Sequence, residues 1–408
     1  MIDTDNTQTE NVYIIKPLFD KFDDDSPAEI CALVESAGAK VCGIKTQFVR
    51  EINPATVIGA GKLEEIKEEL GNTDVNLIVF DGELTPSQTL NIRAALDVKV
   101  IDRTTLILDI FALNAQSTEG KLQVELAQLK YIYPRLRGKG AELSQQGGGI
   151  GTRGPGETQL ESDRRHIRRR IDYLENALKA VESRRNLQTQ RRKKNNVKTV
   201  ALVGYTNTGK STLLNRLTGA DVLVKNQLFA TLDPTMRKLA LENCEIVLVD
   251  TVGFVKNIPH NLIEAFKSTL ETAVNADLIL IVCDAKGDYE TQLATTESTL
   301  AEIKAESPKI TVFNKCEGID DFTPYPKDAV FISALHGQGI GQLLRRIDDF
   351  FNDAYVKIES KIDYKYYGEF SKLNDFCVVK AINFEDDGVH VNVSIPKEHY
   401  YKFRKIFE

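Results

Sequence analysis

The chain has 408 residues, 42% of them hydrophobic and 27% charged, with six cysteines and a formal net charge of −7. That length exceeds one ordinary core and implies two to four domains, and the composition is that of a globular chain, not a disordered one. Cys31, Cys42, Cys244, Cys283, Cys316 and Cys377 form no CxxC pair, so neither a zinc site nor a disulfide framework is indicated and a reduced, cytoplasmic setting is expected.

The first ten residues, MIDTDNTQTE, are acidic and polar, unlike a secretory leader. Apolar runs such as Leu278 to Cys283 are too short to cross a bilayer, so no transmembrane segment is expected. Short apolar runs at Val12 to Ile15, Lys40 to Ile44, Asn76 to Phe80 and Val98 to Asp102 predict strands. Helical spacing lies between them at Ala28 to Ala37, Gly61 to Leu70 and Pro86 to Leu96. Strand and helix in alternation predict a parallel α/β domain over residues 1–110. VIGAGK, Val57 to Lys62, looks like a phosphate loop, but Thr56 stands where the first glycine belongs and Leu63 replaces the metal-binding hydroxyl, which predicts a helix entry instead.

Residues 111–196 predict a helical hairpin. Leu122, Leu126, Leu129, Tyr133 and Leu136 form one apolar stripe, and Leu160, Ile167, Ile171, Leu174, Leu178 and Val181 form a second, so the two helices are expected to pack on each other. Between them lies QQGGGIGTRGPGETQLESDRR, Gln145 to Arg165, whose glycines strip side chains from the turn and let backbone N–H groups approach a phosphate or a narrow cavity. From Lys130 to Lys198 there are 18 Lys and Arg against 7 Asp and Glu, although the whole chain is acidic. A basic segment of this kind is a footprint for a polyanion, usually nucleic acid; a solvated helix face is the alternative.

Residues 197–355 predict a nucleotide-binding domain. The apolar strand Lys198 to Val203 leads into GYTNTGKS, and this GxxxxGK[ST] loop comprises Gly204, Tyr205, Thr206, Asn207, Thr208, Gly209, Lys210 and Ser211. Its N–H groups are expected to cradle the α- and β-phosphates, with Lys210 on the β/γ oxygens and Ser211 on Mg2+. A second strand, Ile246 to Asp250, ends in Asp250, Thr251, Val252 and Gly253, where Asp250 can hold the metal through water and the Gly253 N–H can meet the γ-phosphate. Between these motifs, LFATLDPT offers Phe229, Ala230, Thr231, Leu232 and Asp233; Thr231 is the candidate to close over the metal and γ-phosphate, with Thr235 competing for the role. Lys210, Thr231 and Gly253 are the catalytic candidates. After the strand Ile310 to Phe313 come Asn314, Lys315, Cys316 and Glu317, a base-reading motif whose carboxylate accepts from guanine N1 and N2. Ser333, Ala334 and Leu335 then present backbone N–H groups to guanine O6. GTP or GDP with Mg2+ is the expected ligand set. Residues 356–408, with strand-like Phe376 to Ile382 and Val389 to Ile395, predict a small α+β domain.

GTRGPGETQLE followed by DRR, LFATLDPT and DTVGF together resemble the HflX-type ribosome-associated GTPases of the Obg-HflX group, over nearly the whole chain. The resemblance implies an α/β fold: a Ras-like P-loop GTPase domain, an N-terminal α/β domain carrying a helical hairpin, and a small C-terminal domain. It implies GTP hydrolysis, binding to the large ribosomal subunit and its ribosomal RNA rather than DNA, and a role in splitting or rescuing stalled ribosomes under stress. Ribosome assembly and a nucleotide-gated silencing module share the same sequence features. The family has also been credited with adenine-nucleotide binding through its N-terminal half, and Asn207 stands where potassium-activated GTPases similar to this one use an asparagine to hold K+. A monomer is expected. The family's base-reading motif usually ends in Asp; here Glu317 is one methylene longer.

Overall fold

The computed structural model describes residues 9–19, 26–71, 73–136, 155–194, 197–219, 228–229, 233–242, 244–256, 267–319, 325–352, 355–373 and 377–407. They fall into two bodies, one of Met1–Val181, Lys225–Asp233 and Asn257–Lys267, the other of Glu182–Val224, Pro234–Lys256 and Ser268–Glu408. The glycine-rich turn singled out above falls largely outside the described residues.

In the first body, β1 (Asn11–Leu18), α1 (Ala28–Ser36), β2 (Lys40–Phe48), α2 (Ala60–Leu70), β3 (Leu77–Phe80), α3 (Pro86–Leu96) and β4 (Lys99–Asp102) alternate as the sequence predicts. The strands form a parallel sheet in the order β2-β1-β3-β4, with Ile14 beside Val79 and Val79 beside Ile101. β1 and β3 are central and covered on both faces, which is why they read as unbroken apolar runs. The VIGAGK segment is the helix entry expected: Gly59 caps α2, whose buried residues are Leu63, Ile66 and Leu70.

β4 passes directly into α4 (Arg103–Asn114) because Asp102 is the last strand residue and also the helix cap, accepting from Thr105 N at 2.9 Å. Buried Arg103 pairs with Asp81 at 2.7 Å and with Glu29, so the buried guanidinium is compensated. Next come α5 (Thr118–Arg135) and α6 (Pro155–Lys194), the latter beginning in the first body and ending in the second. α5 packs on α4. Its deepest residues are Gly120, Gln123, Val124, Leu126, Ala127 and Tyr131. Leu122, Leu129 and Tyr133 of the expected stripe are only half-buried. Glu125 takes a two-pronged hydrogen bond from Arg170 (2.7 and 2.8 Å), Lys130 pairs with Glu175 at 2.8 Å, and Arg164 lies over the ring of Tyr133. Leu174 of α6 is fully buried.

The second body is built on β5 (Lys198–Val203), α7 (Lys210–Thr218), β6 (Thr235–Ala240), β7 (Glu245–Asp250), α8 (Lys267–Val274), β8 (Leu278–Asp284), α9 (Tyr289–Glu302), β9 (Lys309–Asn314), β10 (Val330–Phe331) and α10 (Ile340–Asn352). Its sheet runs β10-β9-β8-β5-β7-β6, all parallel except β6. The core joins Val200, Leu202, Leu213, Leu248, Leu280, Val312 and Leu343. A second sheet of the same body, β11-β13-β12, is antiparallel: β11 (Tyr355–Ile362), then α11 (Tyr367–Ser371), β12 (Val378–Glu385), β13 (Gly388–Pro396) and α12 (Lys397–Phe403). Among the described residues no helix is long and apolar enough to cross a membrane.

Candidate functional site

The phosphate-loop motif joins β5 to α7 at the carboxyl end of the parallel sheet, at the edge where ligands bind in open α/β folds. Two of its glycines are required by space as well as by backbone angle. At Gly204 (φ +154°) a Cβ would lie 2.2 Å from the carbonyl oxygen of Val282, and at Gly209 (φ +88°) it would lie 2.3 Å from Asn314 Nδ2. Thr208 Oγ1 donates to Tyr205 O at 3.0 Å and fixes the loop from within.

Lys210 is buried, and its Nζ donates to the carbonyls of Gly204 (3.1 Å) and Tyr205 (2.7 Å). Burial pulls its pKa down to about 8, opposed by nearby Asp250. Ser211 Oγ donates to Asp250 Oδ2 at 2.6 Å, so a neutral and an anionic oxygen stand side by side. Such hard oxygen donors suit Mg2+.

The DTVG segment lies directly against the loop. A Cβ on Gly253 would be 2.8 Å from Thr206 Cα and 3.0 Å from Lys210 Nζ, so glycine is what lets the two segments approach. Thr206 N donates to Phe254 O at 2.7 Å, Phe254 N to Gly204 O at 3.0 Å, and Thr251 Oγ1 to Leu202 O at 2.7 Å. Val252 and the ring of Phe254 are buried.

At the other end of the loop, Asn314 binds two segments together: Nδ2 donates to Thr208 O (2.8 Å) and Oδ1 accepts from Ala334 N (2.9 Å). Lys315 Nζ donates to Asn207 O (2.8 Å) and to Asp284 Oδ2 (2.7 Å). Cys316 N donates to Ile332 O at 3.1 Å, which seats Glu317 beside the buried Ser333. Leu335 is exposed, and the carbonyls of Ala334 and Leu335 accept from Arg216 of α7. Thus 204–211, 250–253, 314–317 and 333–335 converge on one edge of one sheet.

The LFATLDPT segment is placed differently. Ala230, Thr231 and Leu232 lie outside the described residues. Phe229 packs edge-on against Phe111 at 4.5 Å, and Asp233 accepts from Gln116 N (3.1 Å), Ser117 N (2.7 Å) and Ser117 Oγ. Leu228 N donates to Ser36 Oγ at 2.9 Å. Both described flanks therefore belong to the first body, with side chains engaged there. The competing candidate Thr235 is the first residue of β6 and is paired with Asp250 across the sheet, a ladder position rather than a closing loop.

Family models match three consecutive stretches: GTP-binding GTPase N-terminal over residues 24–112, GTP-binding GTPase middle region over 114–192, and 50S ribosome-binding GTPase over 199–315. A GTPase HflX of Caldanaerobacter subterraneus is 48% identical over 380 residues, covering 92% of this chain and 89% of that protein. The chain belongs to the HflX family of GTPases. The GTPase HflX of Escherichia coli is 45% identical over 332 residues, covering 79% of this chain and 78% of that protein. A GTP-binding protein of Sulfolobus solfataricus in complex with GDP is 26% identical over 85% of this chain and 99% of that one, with a TM-score of 0.45. As an HflX-family member with a P-loop GTPase domain, the protein binds guanine nucleotide and hydrolyses GTP.

Three residues of this HflX-family site escape the motif reading. Asp284 anchors Lys315 and also accepts from Lys286 N at 3.0 Å, and Lys286 Nζ reaches Glu317 Oε1 at 3.3 Å. Arg216 braces the SAL turn. For Asp284 and Lys286 the signal was the charge of CDAKGD at the end of β8; Lys315, Glu317 and the partners of Arg216 lie far along the chain.

Proposed function

We propose that the protein uses its GTPase cycle on the large ribosomal subunit, in the cytoplasm and as a monomer, to separate or rescue stalled ribosomes under stress. The carrying observation is the row of exposed arginines Arg165, Arg168 and Arg169 on α6 in a chain that is acidic elsewhere; RNA phosphates attract such a row. The match to the 50S ribosome-binding GTPase model supports the same partner. The GTP-bound protein is expected to co-sediment with mature large subunits; sedimentation only with subunit precursors would move the reading to ribosome assembly.

Within the cycle, Lys210 holds the β/γ oxygens and the N–H groups of the loop hold the α- and β-phosphates. Ser211 and Thr231 would hold Mg2+, with Asp250 in support, and the ion would supply positive charge against the transferring phosphoryl group. Gly253 N–H meets the γ-phosphate, Glu317 reads the guanine edge, and Ser333 to Leu335 meet O6. An adenine nucleotide in the N-terminal half is a separate proposal, which ATP titration of a Lys210→Met protein tests.

Asn207 is exposed at the loop crest with φ +59°, its carbonyl held by Lys315. Its side chain is free to supply an oxygen to K+ beside the phosphates, where the ion adds positive charge as an arginine does elsewhere. Hydrolysis is expected to be faster in KCl than in NaCl at equal ionic strength, and Asn207→Ala is expected to remove the difference. Equal rates of the wild type in the two salts sink the idea.

A further inference from the structure

Glu317 carries an extra methylene, and with it an extra torsion, relative to the aspartate usual at this position, so its carboxylate needs a constraint that a shorter side chain would not. Oε1 lies 3.3 Å from Lys286 Nζ, while Oε2 is enclosed by the protein. Ser333, then a backbone hydrogen bond and Lys286, hold the carboxyl below the usual glutamate range, so it is ionised and acceptor-only at neutral pH. Lys286 is itself braced: its N–H is held by Asp284, whose own N–H donates to Gln292 Oε1 at 2.8 Å and whose second oxygen holds Lys315.

We propose that Lys286 is a specificity-determining residue: by holding Oε1 of Glu317 it fixes the carboxylate in the orientation that meets the Watson–Crick edge of guanine, where the N1–H and the 2-amino group donate. The inference rests on Glu317 being the base reader. An ion pair as exposed as this one adds little to folding. Its effect is on binding, because a side chain ordered before the ligand arrives does not have to be ordered by it. The pair also depends on side-chain length. Retracting the carboxylate by one C–C bond, about 1.5 Å, takes it out of hydrogen-bond reach of Lys286.

The test is competition of GDP, IDP and ADP against a fluorescent GDP analogue on the full chain. IDP lacks only the 2-amino group. Lys286→Met is expected to weaken GDP about threefold to tenfold and IDP less than about twofold, the scale of one oriented charge-assisted hydrogen bond. Lys286→Arg is expected to restore the GDP over IDP preference. In a Glu317→Asp background, Lys286→Met is expected to change neither ligand. If Lys286→Met leaves the GDP to IDP ratio at the wild-type value, or lowers both affinities equally, the specificity role is overturned. The base-reading premise has its own arm: Glu317→Ala must lose the preference for GDP over ADP, and if it keeps that preference the premise falls.

Discussion

Replacing Lys210 with Met is expected to lower GTP turnover about 100- to 1,000-fold, the usual loss when one buried donor to developing charge is removed. The ammonium donates to two carbonyls, and burial brings its pKa to about 8 against the opposing pull of Asp250. Phosphate oxygens favour the charged form, so the bound-state pKa lies higher. The sign of the pH effect follows from that order. Below about pH 8 both free and bound proteins carry the proton and affinity is flat. Above it the free protein loses the proton, binding must take one up, and GDP affinity falls as pH rises. Lys210→Arg binds less well but stays charged throughout, so its affinity is expected to be level between pH 7 and 9.5. GDP titrations across that range decide the matter: an equal decline in wild type and Lys210→Arg would assign the pH dependence to another group.

The nucleotide site was legible because its chemistry fixes residue types at fixed intervals. A loop whose glycines face Val282 O and Asn314 Nδ2 tolerates no side chain at those places, so the spacing survives in the sequence. What was illegible depends on partners far along the chain. Nothing near Lys286 announces Glu317, 31 residues away. The buried face of α5 was misjudged for a different reason: Gly120, Gln123 and Ala127 are deep because they fit closely against neighbours, and small or polar residues carry little hydrophobic signal beside a row of leucines. β6, with exposed Arg237 and Lys238, looks polar because it is an edge strand, and Thr235 at its start therefore passed for a loop residue. β11 escaped for the same reason, its lysines alternating with Val356 and Ile358.

Large ribosomal subunits are expected to accelerate hydrolysis by several decades, since the position directly after DTVG gives no help with the attacking water. The side chain of Phe254 has no hydrogen-bonding group, and its ring is buried while its backbone is paired to the phosphate loop. External stabilisation in related chemistry restores roughly three to five decades. Not every arginine of α6 is available for docking. Arg170 is committed to Glu125 and Arg164 lies on Tyr133, whereas Arg165, Arg168 and Arg169 are exposed. Neutralising those three is expected to weaken subunit binding and to flatten its log–log salt dependence by about two to three units of slope. Arg170→Ala is expected to loosen α6 from α5 and leave that slope nearly unchanged. The start of α5 binds Asp233, two residues beyond the candidate Thr231 in sequence, and this is where a docking signal is expected to pass. The fit there is close: a Cβ on Gly120 would lie 2.5 Å from Asp233 Oδ1. Asp233→Asn, which keeps the shape but weakens the charge-assisted bonds at the helix start, is therefore expected to retain subunit binding while reducing the ratio of stimulated to basal hydrolysis. Shortening the turn between Gln145 and Gly156 should reduce the same ratio and leave intrinsic GDP affinity intact. Single-turnover hydrolysis with and without subunits, read beside sedimentation, separates the cases. An Asp233→Asn protein stimulated as fully as wild type would show that the signal does not pass through the start of α5, and a wild type indifferent to large subunits would remove the ribosomal reading itself.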